Sequence, residues 1–275
     1  MDTYADLHVH SCSSDGTFTP EQLVATALSS GLSCIAIADH DTCAAIDPAL
    51  QAAVRCDLEI IPAIELTAEH EGREIHILGY LLDHHQPYLA EVLQQIRAYR
   101  IERVHAIIKK LQAVGVSLSA QSVFALAGEG SVGRLHVARA MVQSGAVATT
   151  AEAFYKYIGD RSSAYVSGFQ LDVRKAAALI RQAGGIPILA HPHSLHDDEL
   201  VEYCILQGIM GLEVFYPEHS QSIINFYLAM AERHGLLVTG GSDCHGDAKP
   251  EVRLGLIKLE YEYVQALKDK QQALR

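Results

Sequence analysis

The sequence predicts an α/β fold whose strands and helices alternate often enough to close a barrel. Two observations predict it. Apolar, β-branched runs alternate with helix-period segments towards both ends of the chain. Histidine- and acid-rich residues follow those runs again and again, the placement expected where chemistry gathers at the carboxyl ends of barrel strands.

The elements read in order as follows. Residues 4–9 form a short strand. Thr19-Pro20-Glu21-Gln22 then supplies a capping box with proline in the first turn, opening a helix that stops at Gly31. Residues 33–38 form an apolar strand, and Asp39-His40-Asp41 stands directly at its end. A short helix over 44–54 leads to a strand ending near Ile64-Glu65, and residues 73–82 form another strand that contains His76. From Pro87 the pattern turns helical: 88–113 is one long helix, with further helices near 120–127, 134–144 and 151–158. No strand pattern interrupts them, so 88–164 reads as a helical insertion covering the active site. It splits a barrel made of residues 1–87 and 165–275. Strands at 186–190, 211–215 and 236–239 then alternate with helices near 172–183, 198–206 and 219–234.

The 275 residues suit one large α/β domain with an insertion, and 49% apolar content can bury a core without staples. No run of about 18 apolar residues supports a membrane span, and the N-terminal residues show no signal core, which predicts a cytoplasmic protein. The six cysteines are irregularly spaced and read as free thiols. A net charge of −12 disfavours broad binding to a polyanion such as double-stranded DNA, while leaving room for an anionic substrate held by local arginines. Oligomeric state is not written in the sequence.

Histidine is the commonest metal ligand, and many of the 15 here sit beside carboxylates. His8 and His10 are two apart on a strand and share a face, so both can grip one ion; an ordinary polar strand end is the bland alternative. Asp15 lies in a Ser-Ser-Asp-Gly turn able to fold back over that end. His40, Glu65, His191, Asp243 and His245 each stand at or just beyond an apolar run. His76 alone would read as structural, and its company promotes it. Buried charges are costly without partners, and these nine side chains exceed the needs of one ion. Two or three divalent ions, with Glu65 bridging a pair, account for them. The imidazole and carboxylate donors suit manganese, zinc or iron and do not identify which; manganese is the ion expected, with zinc or iron as alternatives. Such ions polarise phosphoryl oxygens and generate hydroxide near neutral pH, and no serine elbow or P-loop offers other chemistry.

The segments DLHVHS, ADHDT, the run ending in Glu65, IHILGY, AHP and GSDCH together resemble the PHP (polymerase and histidinol phosphatase) family, in its order. Within it the chain is most similar to a subgroup acting on 3',5'-bisphosphonucleotides or trimming RNA from its 5' end. Arg100-Ile101-Glu102-Arg103, Gly133-Arg134-Leu135-His136, Phe154-Tyr155-Lys156-Tyr157 and Tyr165-Val166 match that subgroup's insertion. The resemblance implies a distorted (β/α)7 relative of the TIM barrel with three metal sites: His8, His10, Glu65 and Asp243 around one ion, Asp15, His40 and His245 around a second, and Glu65, His76 and His191 around a third. It implies catalytic roles for His8, His10, Glu65, Asp243 and His245. One departure is His193-Ser194, where some relatives carry Gly-Arg after AHP.

Arg100 and Arg103 share a face of the long helix. They read either as a solvated surface or, by the resemblance, as clamps on a second phosphate. Arg134 and His136 open another helix, whose free N–H groups favour an anion, and Arg134 is the favoured phosphate fork. Asp41 contacts substrate or steadies a metal-bound histidine. The leading function is hydrolysis of the 3'-phosphate of a 3',5'-bisphosphonucleotide by metal-activated hydroxide. The alternatives are 5'-3' exoribonuclease action on short 5'-phosphorylated RNA, histidinol phosphatase, and a non-catalytic metal-stabilised module.

Overall fold

The computed structural model describes residues 3–160 and 162–274. In chain order it contains β1 (Tyr4–Val9), α1 (Pro20–Ser29), β2 (Cys34–Ile37), α2 (Ile46–Ala53), β3 (Glu59–His70) and β4 (Arg73–Tyr80). A run of helices follows: α3 (Pro87–Ala113), α4 (Ala120–Ala127), α5 (Arg134–Gln143) and α6 (Thr150–Ala153), the last running on into a π-helical turn over Phe154–Ile158. The chain then forms α7 (Val173–Gln182), β5 (Ile186–Leu189), α8 (Asp198–Leu206), β6 (Gly211–Phe215), α9 (Gln221–His234), β7 (Leu237–Gly240), β8 (Leu259–Glu260) and α10 (Tyr261–Leu274).

The strands form one sheet in the order β7-β6-β5-β4-β3-β2-β1-β8. The segment after β7 bends it towards closure: Val9 bridges Cys244 in parallel, His10 N–H donates to Cys244 O over 2.9 Å, and Asp243 N–H donates to His8 O over 2.8 Å. Seven strands thus make a nearly closed α/β barrel, and β8 adds an antiparallel pair to the outer edge of β1. Gly241 is needed for the closure. A Cβ there would sit 2.4 Å from the backbone nitrogen of His8.

Within the barrel, β4 alone runs against the other strands. β3 does not end at Glu65 but runs on to His70, turns at Glu71-Gly72, and returns as β4, antiparallel to both β3 and β5. Glu71 and Gly72 both have positive φ (50° and 74°), as a two-residue hairpin connection demands. The register pairs Thr67 with His76 and Glu69 with Glu74. One hairpin face therefore carries Glu65, Thr67, Glu74 and His76. Because β4 descends from the active end, His76 lies within its strand instead of after it.

The expected capping box of α1 is present: Gln22 N–H donates to Thr19 Oγ1 and Thr19 N–H to Gln22 Oε1. The 27 residues of α3 reach about 40 Å at 1.5 Å per residue. Leu89 and Ile96 anchor its first half in the barrel core. Val104, Ile107 and Leu111 of its second half pack with Val123, Val137 and Met141 in a separate helical core. No helix among the described residues is long and apolar enough to cross a membrane.

Candidate functional site

Ala5 and Leu7 of β1 pack in one core cluster and Val9 in another, the register with β2 shifting between Asp6 and Val9 as the strand delivers His8 and His10 to the site. His8 and His10 are fully buried, and all nine predicted metal-site side chains converge in one cluster around Glu65. Oε2 of Glu65 lies 3.3 Å from His8 Nε2, 3.2 Å from His10 Nε2 and 3.1 Å from His40 Nδ1. Its Oε1 lies 3.0 Å from His76 Nδ1 and 3.3 Å from His191 Nε2. One buried carboxylate thus faces five imidazole nitrogens.

The remaining carboxylates flank that centre. Asp243 Oδ1 is 3.1 Å from His10 Nε2 and 3.6 Å from His8 Nε2. Asp15 is 3.2 Å from His245 Nε2 and 3.8 Å from His40 Nε2. The donor atoms gather into three groups: His8 with His10 and Asp243; His10 with Asp15, His40 and His245; and His40 with Glu65 and His76. Asp41, His191 and Asp243 all hold positive φ (52°, 27° and 55°), backbone strain of the sort that collects at functional sites.

The donors suit divalent ions on the geometry itself. His40 Nδ1 and Glu65 Oε2 face each other across 3.1 Å, yet among the described residues neither has a hydrogen-bond partner. A buried nitrogen and a buried carboxylate oxygen left in that state cost free energy, and a divalent cation is the group that satisfies both. Borderline divalent ions accept such mixed imidazole and carboxylate ligands.

Electrostatics tell the same story. Burial would raise the carboxyl pKa of Glu65, but His40, His76 and His8 outweigh it and hold it well below the usual carboxylate range. Burial likewise opposes ionisation of Asp15 and Asp243; His245 and His40 overcome it at Asp15, and Lys249 and His245 do so at Asp243. Burial opposes charge on His10 too, but the neighbouring Asp243 and Glu65 carboxylates push its pKa up to about 9.

Side chains outside the predicted ligand set hold these donors in place. Glu213, fully buried on β6, takes His8 Nδ1 at 2.9 Å through Oε1 and the His191 N–H at 2.8 Å through Oε2. A carboxylate behind a histidine fixes which ring nitrogen is presented. An acid inside the apolar stretch Gly-Leu-Glu-Val-Phe was the available signal. Asp39 accepts from Ser11 N–H (2.7 Å) and Ser14 Oγ (2.5 Å), folding the loop that brings Asp15 back. Lys249 Nζ and Tyr216 OH both reach Asp243 Oδ2 at 2.9 Å, leaving Oδ1 to the histidines.

Above the cluster opens a cleft of about 540 Å³, bordered by His40, His76, Arg100, Arg103, Arg134 and Lys249. Arg100 and Arg103 are buried, so the solvated-surface reading does not hold for them. Arg100 makes four hydrogen bonds, to Asp41 twice, Thr67 Oγ1 and Val132 O. Asp41 also accepts the Thr67 N–H and lies behind Arg100. Arg103 and Arg134 each stand 2.5 Å from an oxygen of Glu74, which orients the pair. Tyr165 lies 5.7 and 5.5 Å from those guanidiniums. His136 does not border the cleft; its buried ring accepts the Gly133 N–H at 3.1 Å and caps α5.

Residues 6–129 match the family model described as the PHP domain. The chain is 41% identical over 187 residues to the 5'-3' exoribonuclease of Haemophilus influenzae, covering 68% of each chain. It is 32% identical to the 3',5'-nucleoside bisphosphate phosphatase of Chromobacterium violaceum, over 87% of this chain and 86% of that one. A solved metal-dependent phosphoesterase from Bifidobacterium adolescentis superposes with a TM-score of 0.87 at 31% identity, covering 98% of this chain and 96% of the other. With its histidine–carboxylate cluster at the mouth of the barrel, the chain belongs to the PHP family of metal-dependent phosphoesterases.

Proposed function

We propose that the protein hydrolyses the 3'-phosphate of 3',5'-bisphosphonucleotides, with 3'-phosphoadenosine 5'-phosphate as the model substrate. The observation that carries this reading is the pairing of two features: the Glu65-centred donor cluster on the cleft floor, and Arg103 and Arg134 on its wall. A substrate with two phosphates gives both a purpose, whereas histidinol phosphate has one phosphate and leaves the wall without a task.

His8, His10, Asp15, His40, Glu65, His76, His191, Asp243 and His245 would hold two or three ions, manganese first among them. Bound divalent ions supply an activated water and neutralise charge on the phosphoryl oxygens. The chain's own residues do the rest. Glu213 and Asp243 keep the His8 and His10 rings oriented. Arg103, which makes one hydrogen bond to Val166 O beyond its Glu74 pair, retains N–H groups for the second phosphate. Arg134 bonds Glu74, Asp160 Oδ1 and Ile158 O and has fewer N–H groups left to offer. Arg100, with four bonds already made, positions Asp41 and Thr67 and leaves the clamp to the other two. Lys249 Nζ, at the cleft edge, faces the charge that develops on the transferring phosphoryl group.

The likeness to an exoribonuclease favours a second reading. Removal of a 5'-mononucleotide also hydrolyses an ester at the 3' oxygen of a 5'-phosphorylated nucleoside, so the same floor and wall would serve a short RNA. Phosphate release from 3'-phosphoadenosine 5'-phosphate with Mn²⁺, run beside histidinol phosphate and a 5'-phosphorylated RNA, separates the readings. We expect rapid release from the bisphosphate, and Arg134→Ala to lower kcat/KM by about 10- to 100-fold, the worth of a charged hydrogen bond. Mononucleotides from RNA with no turnover of the bisphosphate would move the assignment to exoribonuclease.

A further inference from the structure

Among the described residues, one cluster of ligating side chains lies outside the cleft. Asp47 stands in the first turn of α2, and His84 and His85 in the turn between β4 and α3. His84 Nε2 is 2.9 Å and His85 Nε2 3.5 Å from the same oxygen, Asp47 Oδ1. The two rings lie 4.1 Å apart, and the three donor atoms all fall within 4.8 Å of one another. Asp83 stiffens the turn by accepting the His85 N–H on its side chain and the Gln86 N–H on its carbonyl, each at 3.1 Å. His84 is only 12% exposed, so one donor is held from inside while His85 and Asp47 close on it from solvent.

We propose that Asp47, His84 and His85 form a separate binding site for a zinc-class divalent cation. Ligands at about 2.0–2.1 Å from a tetrahedral ion lie roughly 3.3 Å from one another, and the observed separations of 2.9 and 3.5 Å straddle that edge. Two imidazoles and one carboxylate favour borderline ions such as Zn²⁺ over Mg²⁺ or Ca²⁺, which prefer oxygen. Three protein ligands leave a coordination position for water. The ion would staple α2 to the turn from which α3 starts, and α3 carries Arg100 and Arg103 to the cleft. The competing account is a plain ion pair between protonated imidazole and Asp47.

The test titrates zinc into manganese-loaded protein under a weak competing chelator, with Asp47→Asn and His85→Ala alongside. Zinc exchange at the barrel cluster is common to all three proteins, so the difference between them reports this site alone. We expect the wild type to take up one more zinc per chain than either variant at micromolar free zinc. Its melting temperature should rise more on zinc addition than either variant's, since exchange at the barrel is shared. Equal zinc content in the three proteins, or a difference seen only at millimolar zinc, would overturn the proposal.

Discussion

At the residue scale, two side chains make separable predictions. His136 is buried and neutral: burial, with Arg139 and Arg100 nearby, outweighs Asp15 and brings its pKa down to about 4. The unfolded histidine titrates near 6.5, so between those values the unfolded chain binds the extra proton. The stability this group contributes is complete above pH 6.5 and is lost as pH falls towards 4. The slope is at most about 1.4 kcal/mol per pH unit. Urea denaturation from pH 6.5 to 4.5 should show a shallower decline for His136→Gln than for wild type; identical slopes would remove His136 from the account. Lys249 makes a kinetic prediction instead. Lys249→Ala should keep its metal content and lose kcat on the order of 10²-fold, as when one charge-stabilising donor is removed. Lys249→Arg should recover part of the loss. Unchanged kcat would confine Lys249 to holding Asp243.

At the element scale, the β3–β4 hairpin matters most, because it carries Glu65, Glu74 and His76 on one face and links the metal floor to the arginine wall. Gly72 sits at a φ of 74° with no atom within 4 Å of a would-be Cβ. The cost of a side chain there is therefore backbone strain alone. Gly72→Val should lower stability by about 1–2 kcal/mol and reduce activity through Glu74 and His76; full activity at reduced stability would show that the hairpin end tolerates shifts. This element also marks where the sequence was hard to read. The ligand motifs ADHDT and GSDCH were legible because each follows an apolar strand, the pattern barrels share, and DLHVHS because its two histidines alternate along one. The antiparallel course of β4 was not, since direction depends on a two-residue turn and both directions alternate identically. Glu74 carried no signal of its own because its partners, Arg103 and Arg134, come 29 and 60 residues later. Glu213 and Lys249 were missed for the same reason: their meaning comes from neighbours distant in sequence. The β8–α10 ending gave no motif, and only its packing of Val264 and Leu267 against Ala5 and Leu7 shows its purpose.

At the scale of the whole molecule, the barrel gathers donors from β1, β3, β4 and the segments after β2, β5 and β7 onto one buried carboxylate. The long helix and its neighbours bring arginines over the top. A chain with net charge −12 thereby keeps a local place for phosphates. The whole arrangement turns on Glu65, so the most direct test replaces it with its neutral isostere. Metal content and manganese-dependent phosphate release should be measured together on wild type and Glu65→Gln, with folding checked by circular dichroism. We expect a folded variant that has lost at least one metal equivalent per chain and nearly all turnover. A folded Glu65→Gln protein that keeps both its metal and its activity would contradict that central role of Glu65.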